Sequence, residues 1–296
     1  MTEAELEALI MAKKSNEDAR FILGKLMLEG TSDKVARNDN KGLNWLKECT
    51  KKGHLDAIEY KTYWDIRFDK TPKLDKITQN LEKVIEANKS TRALNTLAEL
   101  SHATGSGAIN HENPEMRAQA ETKAKEAAKF YLMSSEQGCV VGTHWIGVFY
   151  YEGFGVTQNL DKAIEFLKKA AAGGNGQSLY QLYLIFSGVK AESKKDIPTA
   201  YNYLMEAIKV GVTYFEEAIK FFKENYDALA PVYVNSKGLP FEVKEENKKD
   251  ILNMHEAMIG ELKVSFSAAL GKDRLYHRPC GFINDQQIWM VGVHIQ

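Results

Sequence analysis

Over roughly the first 230 residues apolar side chains recur every three or four positions, as in Ile164, Leu167 and Ala171 or Tyr203, Leu204 and Ala207. That is the spacing of one face of an α-helix. Long alternating runs are absent there, and the whole chain holds six prolines, so the first three-quarters reads as all-α. The pattern changes after Tyr226. The stretch "PVYVNSKGLPFEV", residues 231–243, predicts two short β segments around the turn Asn235-Ser236-Lys237-Gly238. Residues 247–271 predict an amphipathic helix with Ile251, Met254, Met258 and Leu262 on one face and Gly271 as its stop. The final "DRLYHRPCGFINDQQIWMVGVHIQ" alternates over part of its length and ends in an apolar, β-branched run.

The helical part repeats itself. "KAIEFLKKAAAGG" (162–174) is matched by "TAYNYLMEAIKVG" (199–211), "EAAKFYLMSSEQG" (126–138) and "KGLNWLKECTKKG" (41–53). Each copy has an aromatic anchor, Trp45, Phe130, Phe166 or Tyr203, and the last three are 36 and 37 residues apart. Three residues before each anchor stands Gly42, Ala127, Ala163 or Ala200; eight after stands Gly53, Gly138, Gly174 or Gly211. A worn fifth copy spans 78–89, with Leu81 at the anchor and Lys89 replacing the closing glycine. The physical reading is that the small residue admits a neighbouring helix, and the aromatic supplies most of the buried area. The glycine takes the left-handed conformation that ends a helix. One helix pair cannot bury both its faces, so copies must stack.

The partner helix of each unit precedes a glycine turn. In the clearest unit it is "GTHWIGVFYYEGFGV", with Gly142, Ile146, Gly147, Tyr150, Gly153, Gly155 and Val156. "ARFILGKLMLEG" echoes it through Ala19, Leu23, Gly24, Met27 and Gly30, and "SLYQLYLIFSG" through Ser178, Leu182, Phe186 and Gly188. This pattern, followed by Lys-Ala, an aromatic, Ala-Ala and Gly, resembles the Sel1-like repeat, a relative of the tetratricopeptide repeat. Residues 142–174 match nearly throughout, with Asn159 where the family usually has Asp. Residues 19–53 and 178–211 match in part, and 57–138 loosely, with an insertion over 105–125. Gly153 and Gly155 therefore read as a turn between two helices. A phosphate-binding glycine loop would follow a strand, and "HWIGVFYY" reads as helix.

The expected fold is mainly α: an α/α superhelical solenoid of about five Sel1-like helix pairs over residues 1–226, closed by a small α+β C-terminal cap or docking segment over 227–296. A stack of repeats needs a different terminal element to cover its last apolar face. The apolar "IWMVGVHI" could instead add a strand to a partner through Ile288, Trp289, Val291 and Val293.

Composition narrows the function. With 39 basic against 40 acidic residues the net charge is −1, which lacks the basic surplus that nucleic acids and anionic membranes select. The N-terminus carries acids where a signal peptide has positive charge, and no run approaches a bilayer span. Cys49, Cys139 and Cys280 are odd in number and far apart, so no disulfide framework is expected. A soluble intracellular place follows, cytoplasmic first; a subunit of an organellar or ciliary assembly would have the same sequence character.

The seven histidines form no helical zinc pair, and His277-x-x-Cys280 has no second pair to complete a site. No Gly-x-Ser-x-Gly elbow occurs. The carboxylates stand beside lysines, as Asp161 beside Lys162, on solvated faces. No catalytic residue, metal or cofactor is expected. The resemblance implies protein–protein interaction, with the first helix of each pair lining a groove for a peptide or helix of another protein. Carried over by position, it selects Phe21, Lys25 and Leu28; Tyr63 alone in the second unit, where Lys61 breaks the pattern; Asn95, Glu99 and His102; His144, Val148 and Tyr151; and Tyr180 and Leu184. The expectation is a non-catalytic scaffold or adaptor, a structural subunit of a larger assembly. The alternative is an enzyme or regulatory subunit whose active part is the C-terminal 70 residues, with the solenoid as recruiting arm. A secreted, disulfide-linked solenoid would need cysteines within each repeat, and the chain lacks them.

Overall fold

In the computed structural model, residues 2–5, 7, 16–69, 71–229 and 248–272 are described, except for the side chains of 250, 251, 254 and 264–272. Among the described residues all regular structure is helical. The two β segments expected over 231–243 and the C-terminal run 273–296 lie outside them. Contacts divide the chain into two units, Met1–Ala103 and Thr104–Gln296.

The first unit contains α1 (Glu17–Glu29), α2 (Asp39–Lys51), α3 (Leu55–Phe68), α4 (Leu74–Asn88) and most of α5 (Thr91–Ala108). Glycine sets the closeness of α1 and α2. A Cβ added at Gly42 would sit 2.8 Å from the Gly24 carbonyl oxygen, and one at Gly24 would sit 3.1 Å from that of Gly42. The two backbones touch, and Leu23 and Leu46 are fully buried in that seam.

The second unit holds the end of α5, then α6 (Pro114–Glu136), α7 (Val140–Glu152), α8 (Leu160–Ala172), α9 (Gly176–Phe186), a 3-10 turn (Glu192–Lys194), α10 (Ile197–Lys209), α11 (Phe215–Glu224), α12 (Tyr226–Leu229) and α13 (Lys248–Lys272). The 105–125 insertion is ordered as the last turn of α5 and a long N-terminal extension of α6. That helix runs 23 residues where α2, α8 and α10 each run 13.

The repeat signature has direct structural counterparts. Gly53, Gly138, Gly174 and Gly211 all lie in the left-handed region, with φ of 83°, 80°, 84° and 103°. Lys89, in the worn copy, keeps the same conformation at φ 54° although it has a side chain. The second helices share a cap that the sequence reading passed over. The side-chain oxygens of Asn38, Asn159 and Asp196 accept the backbone N–H three residues on, at 3.0, 2.9 and 3.2 Å. Each satisfies an N–H that the helix itself leaves orphaned.

One expectation is corrected. The aromatic anchors are not the deepest residues of their units. Trp45, Phe130, Phe166 and Tyr203 are only half-buried, and each is followed by the residue that fills the core: Leu46, Tyr131, Leu167 and Leu204, all at most 1% exposed. The anchors stack at the rim instead, Phe166 on Tyr150 with ring centroids 5.6 Å apart and Tyr203 on Phe186 at 5.6 Å.

The expected C-terminal helix is present as α13, but its buried stripe is rotated. His255 and Ile259 are each 1% exposed, and Leu252 and Leu262 pack with them against the cluster of Phe215, Phe221, Phe222 and Tyr226. Met258, expected on that face, is exposed, and the side chains of Ile251 and Met254 are outside the described residues. Three ion pairs flank the stripe: Lys223–Glu256, Lys263–Glu216 and Lys248–Asp227.

Candidate interaction surface

The positions selected on the first helix of each pair, α1, α3, α5, α7 and α9, divide between packing and partial exposure. In the first unit Leu28 is 2% exposed, in one cluster with Leu46, Cys49 and Ala57, so it belongs to the core and offers nothing to a ligand. Phe21 is half-buried and reaches the next pair, its ring 5.2 Å from His54 and 6.1 Å from Tyr60. Tyr60 continues the series to Tyr63 at 6.5 Å. Lys25 lies over the Tyr60 ring at 5.6 Å, and the Tyr60 hydroxyl donates to Glu29 at 3.2 Å. Burial together with that carboxylate pushes the Tyr60 phenol up, so it stays a neutral donor. Phe21, Lys25, Tyr60, Tyr63 and Glu29 thus form one aromatic and charged patch, and Tyr60 is a member that the position-by-position transfer left out. The signal for it was present, since Tyr60 lies three residues before Tyr63 and so one helical turn away.

On α5, Asn95 is fully buried and His102 half-buried. Glu99 stands one turn after Asn95, and burial pushes its carboxyl up to about 8. Its Oε1 makes no hydrogen bond among the described residues.

In the second unit His144 is 8% exposed and bonds Ser178 Oγ at 2.8 Å through Nδ1, while burial pushes its imidazole down to about 4. Val148 is 7% exposed, in the cluster with Leu167, Leu182 and Ile185. Both are structural, because α7 is covered on more sides than an outer helix: its intermediate positions are few and only Glu152 is exposed. Tyr151 donates its hydroxyl to the Lys190 carbonyl at 3.1 Å and carries the Lys190 ammonium over its ring at 4.5 Å. Tyr180 stacks on Tyr214 at 3.9 Å and donates to Glu217 at 3.0 Å, and Leu184 packs at the edge of the same cluster. Tyr151, Tyr180 and Leu184 keep partial exposure. The four C-terminal positions, Ile288, Trp289, Val291 and Val293, lie outside the described residues.

The cysteines and His54 are engaged in packing and capping. The Cys49 thiol, buried beside Glu17, is pushed up to about 12, well above the range of a thiolate nucleophile. Cys139 is buried ahead of α7. His54 caps α3 through Nδ1 and meets Asp18 at 2.9 Å through Nε2. Among the described residues no group of three His, Cys, Asp or Glu side chains could hold a metal ion, and no helix is long and apolar enough to cross a membrane.

Comparison with known proteins agrees with the repeat geometry. The Sel1 repeat matches residues 17–54 and 141–175, which are α1–α2 and α7–α8 with their connections. Chitin synthase regulatory factor 2 of Schizosaccharomyces pombe is 31% identical over 84 residues, 28% of this chain. The match spans only 16% of that protein's length. A Sel1 repeat protein from Oxalobacter formigenes superposes with a TM-score of 0.53 at 20% identity, over 81% of this chain and 85% of that one. At that identity the likeness speaks for the fold alone, an α/α solenoid of repeated helix pairs.

Proposed function

We propose that this chain, which carries Sel1-like repeats, is a non-catalytic scaffold that holds segments of other proteins on the first helices of its pairs, as a structural subunit of a larger assembly. The observation that carries the reading is that the partly exposed side chains on those helices are already fixed. Tyr180 is held between Tyr214 and Glu217, Tyr151 is anchored on Lys190, and Phe21, Tyr60 and Tyr63 form a supported series. Tyrosine is enriched where binding energy concentrates. A side chain immobilised before binding does not lose rotamer freedom on binding, a cost of roughly 0.5–1.5 kcal/mol each. Free Cys49 and Cys139 support a reducing compartment as its place of action.

The similarity to a fungal regulatory factor supports a second version, in which the assembly contains an enzyme that this chain recruits or regulates. Purification of the tagged full chain at low salt, with mass spectrometry of stoichiometric companions, tests both. A defined companion lost on Lys25→Glu or Tyr63→Ala supports the scaffold, and an enzyme among the companions favours the regulatory version. Recovery of the chain alone and monomeric would overturn the reading.

A further inference from the structure

The repeat register runs on into the C-terminal helices. Ala218, Phe222 and Tyr226, on α11 and α12, keep the spacing of Gly142, Ile146 and Tyr150 on α7 and of Ser178, Leu182 and Phe186 on α9. On α13, His255, Met258 and Ile259 keep the spacing of Ala163, Phe166 and Leu167 on α8 and of Ala200, Tyr203 and Leu204 on α10. Ala218, Phe222 and Ile259 are buried, as their counterparts are, and Met258 is exposed at the anchor place. α11 and α13 are thus a sixth helix pair, with one change. Where Gly42, Ala127, Ala163 and Ala200 let a partner helix approach, this pair carries a titratable ring.

That ring is seated in an apolar slot. The His255 imidazole lies flat on Phe222, with centroids 3.9 Å apart and 10° between the planes, and its Nε2 shares a hydrogen bond of 2.5 Å with the Tyr201 hydroxyl. The elements around it bring few charges. α10 faces it with the Tyr201 hydroxyl, and α12 adds Tyr226, whose ring lies under the Lys248 ammonium at 4.9 Å. Lys223 on α11 opposes a second cation and Glu256 on α13 favours one; the two pair with each other at 3.0 Å. The other ion pairs of α13, Lys263–Glu216 and Lys248–Asp227, end on exposed carboxylates. Burial, with Lys223 next, holds the imidazole down at about 4 against 6.5. A charge is costly in such a slot and well solvated outside it. α13 has little else to hold it: among its described side chains only His255 and Ile259 are buried, with Leu252 and Leu262 partly so.

We propose that His255 is the catch of a proton-released helix: when its imidazole takes up a proton, α13 leaves α10 and α11 while the pairs before it stay folded, opening the apolar surface of Tyr201, Phe222 and Tyr226 to solvent. The proton binds the released helix more tightly than the seated one, so release grows as pH falls from about 6.5 toward 4. With those two values the ratio of released to seated helix rises about twentyfold between pH 7 and pH 5. His144 is held equally low, but it bonds Ser178 between α7 and α9, so its titration acts on those helices and not on α13.

Amide hydrogen exchange of the full chain, read peptide by peptide by mass spectrometry and corrected for the intrinsic effect of pH, tests this. Protection of residues 252–262 should fall on the order of twentyfold from pH 7 to pH 5, while that of residues 160–172 in α8 changes by less than about twofold. His255→Gln and His255→Phe have no imidazole to protonate, and a variant that seats α13 at pH 7 should keep it seated at pH 5. Protection of α13 that stays flat in the native chain, that falls together with α8, or that still falls in a seated variant would overturn the proposal. If neither variant seats α13 at pH 7, the native profile decides. A loss of about threefold from pH 7 to 6 and about sevenfold from pH 6 to 5 follows from one proton taken up near 6.5; a loss confined below pH 5 overturns it.

Discussion

Replacing Gly155 by alanine separates two reasons for a glycine that are usually confounded. Gly138 and Gly155 both sit at positive φ, 80° and 69°, so both replacements force a side chain into the left-handed region, at a cost of about 1–2 kcal/mol. They differ in what the new methyl meets. At Gly138 nothing lies within 4 Å; at Gly155 the Ala124 oxygen, the Ala124 carbonyl carbon and the Lys125 nitrogen lie at 2.1, 2.4 and 2.8 Å. These are backbone atoms of α6, with no side chain to swing aside, so the turn and the helix must part by more than an ångström. Overpacking of that kind adds roughly 1–3 kcal/mol. Gly138→Ala should therefore cost about 1–2 kcal/mol and Gly155→Ala about 2–5 kcal/mol. Urea denaturation of the full chain, followed by circular dichroism with native, Gly138→Ala and Gly155→Ala proteins side by side, measures both. A difference between the two variants below about 0.5 kcal/mol would refute the claim that the turn is pressed onto α6.

Three further outcomes are expected. Lys89→Gly, which removes the side chain from a left-handed residue at φ 54°, should stabilise the chain by about 1 kcal/mol in the same urea experiment; no gain would mean the Lys89 side chain contributes something the backbone argument omits. Glu99 is held near 8 in the folded chain against 4.5 in the open one, so its proton is bound more tightly when folded and stability falls as pH rises from about 4.5 toward 8. Glu99→Gln should flatten that loss and gain on the order of 2 kcal/mol at pH 8, read from denaturation across pH. His144 and His255 are held near 4 against 6.5, so the open chain takes up protons first, and stability should fall as pH drops from about 6.5 toward 4. His255→Gln, facing the Tyr201 hydroxyl that bonds the imidazole at 2.5 Å, should reduce that slope; an unchanged slope would exclude His255 from it.

How far the sequence reached depends on which atoms enforce each feature. The closing glycines were legible because φ near 80° is a backbone demand that composition records directly. The Gly-x-Gly stretch was legible as punctuation for the same reason: Gly153 ends α7 and Gly155 lies against α6. The anchors misled because their size was conspicuous, whereas the deeper position alternates among Leu46, Tyr131, Leu167 and Leu204 and shows no single residue type. The stripe on α13 was misplaced for a related reason, since Met258 looks like a core residue and His255 does not, yet the imidazole fits flat on Phe222 at 3.9 Å. On the candidate surface, the difference between Tyr180, partly exposed, and His144, buried, depends on how closely the next pair covers each helix. Position within a repeat does not carry that information. The seat of the α7–α8 turn on α6 was not legible at all, because 105–125 read as an interruption of the pattern when its Ala124 lies directly against Gly155.

The bonds that join one pair to the next share a length along the chain. His144 to Ser178, Tyr151 to Lys190, Tyr180 to Glu217 and Lys194 to Asp161 bridge 34, 39, 37 and 33 residues, close to one repeat each. Under tension such a chain has natural places to yield. Pulled from its ends, a pair that lets go frees one period of polypeptide while leaving the linkage beyond it intact. At about 3.3–3.6 Å per residue, each release pays out on the order of 120 Å of slack. A force trace with evenly spaced steps of that size is the mechanical signature of a linkage that reaches only its immediate neighbour.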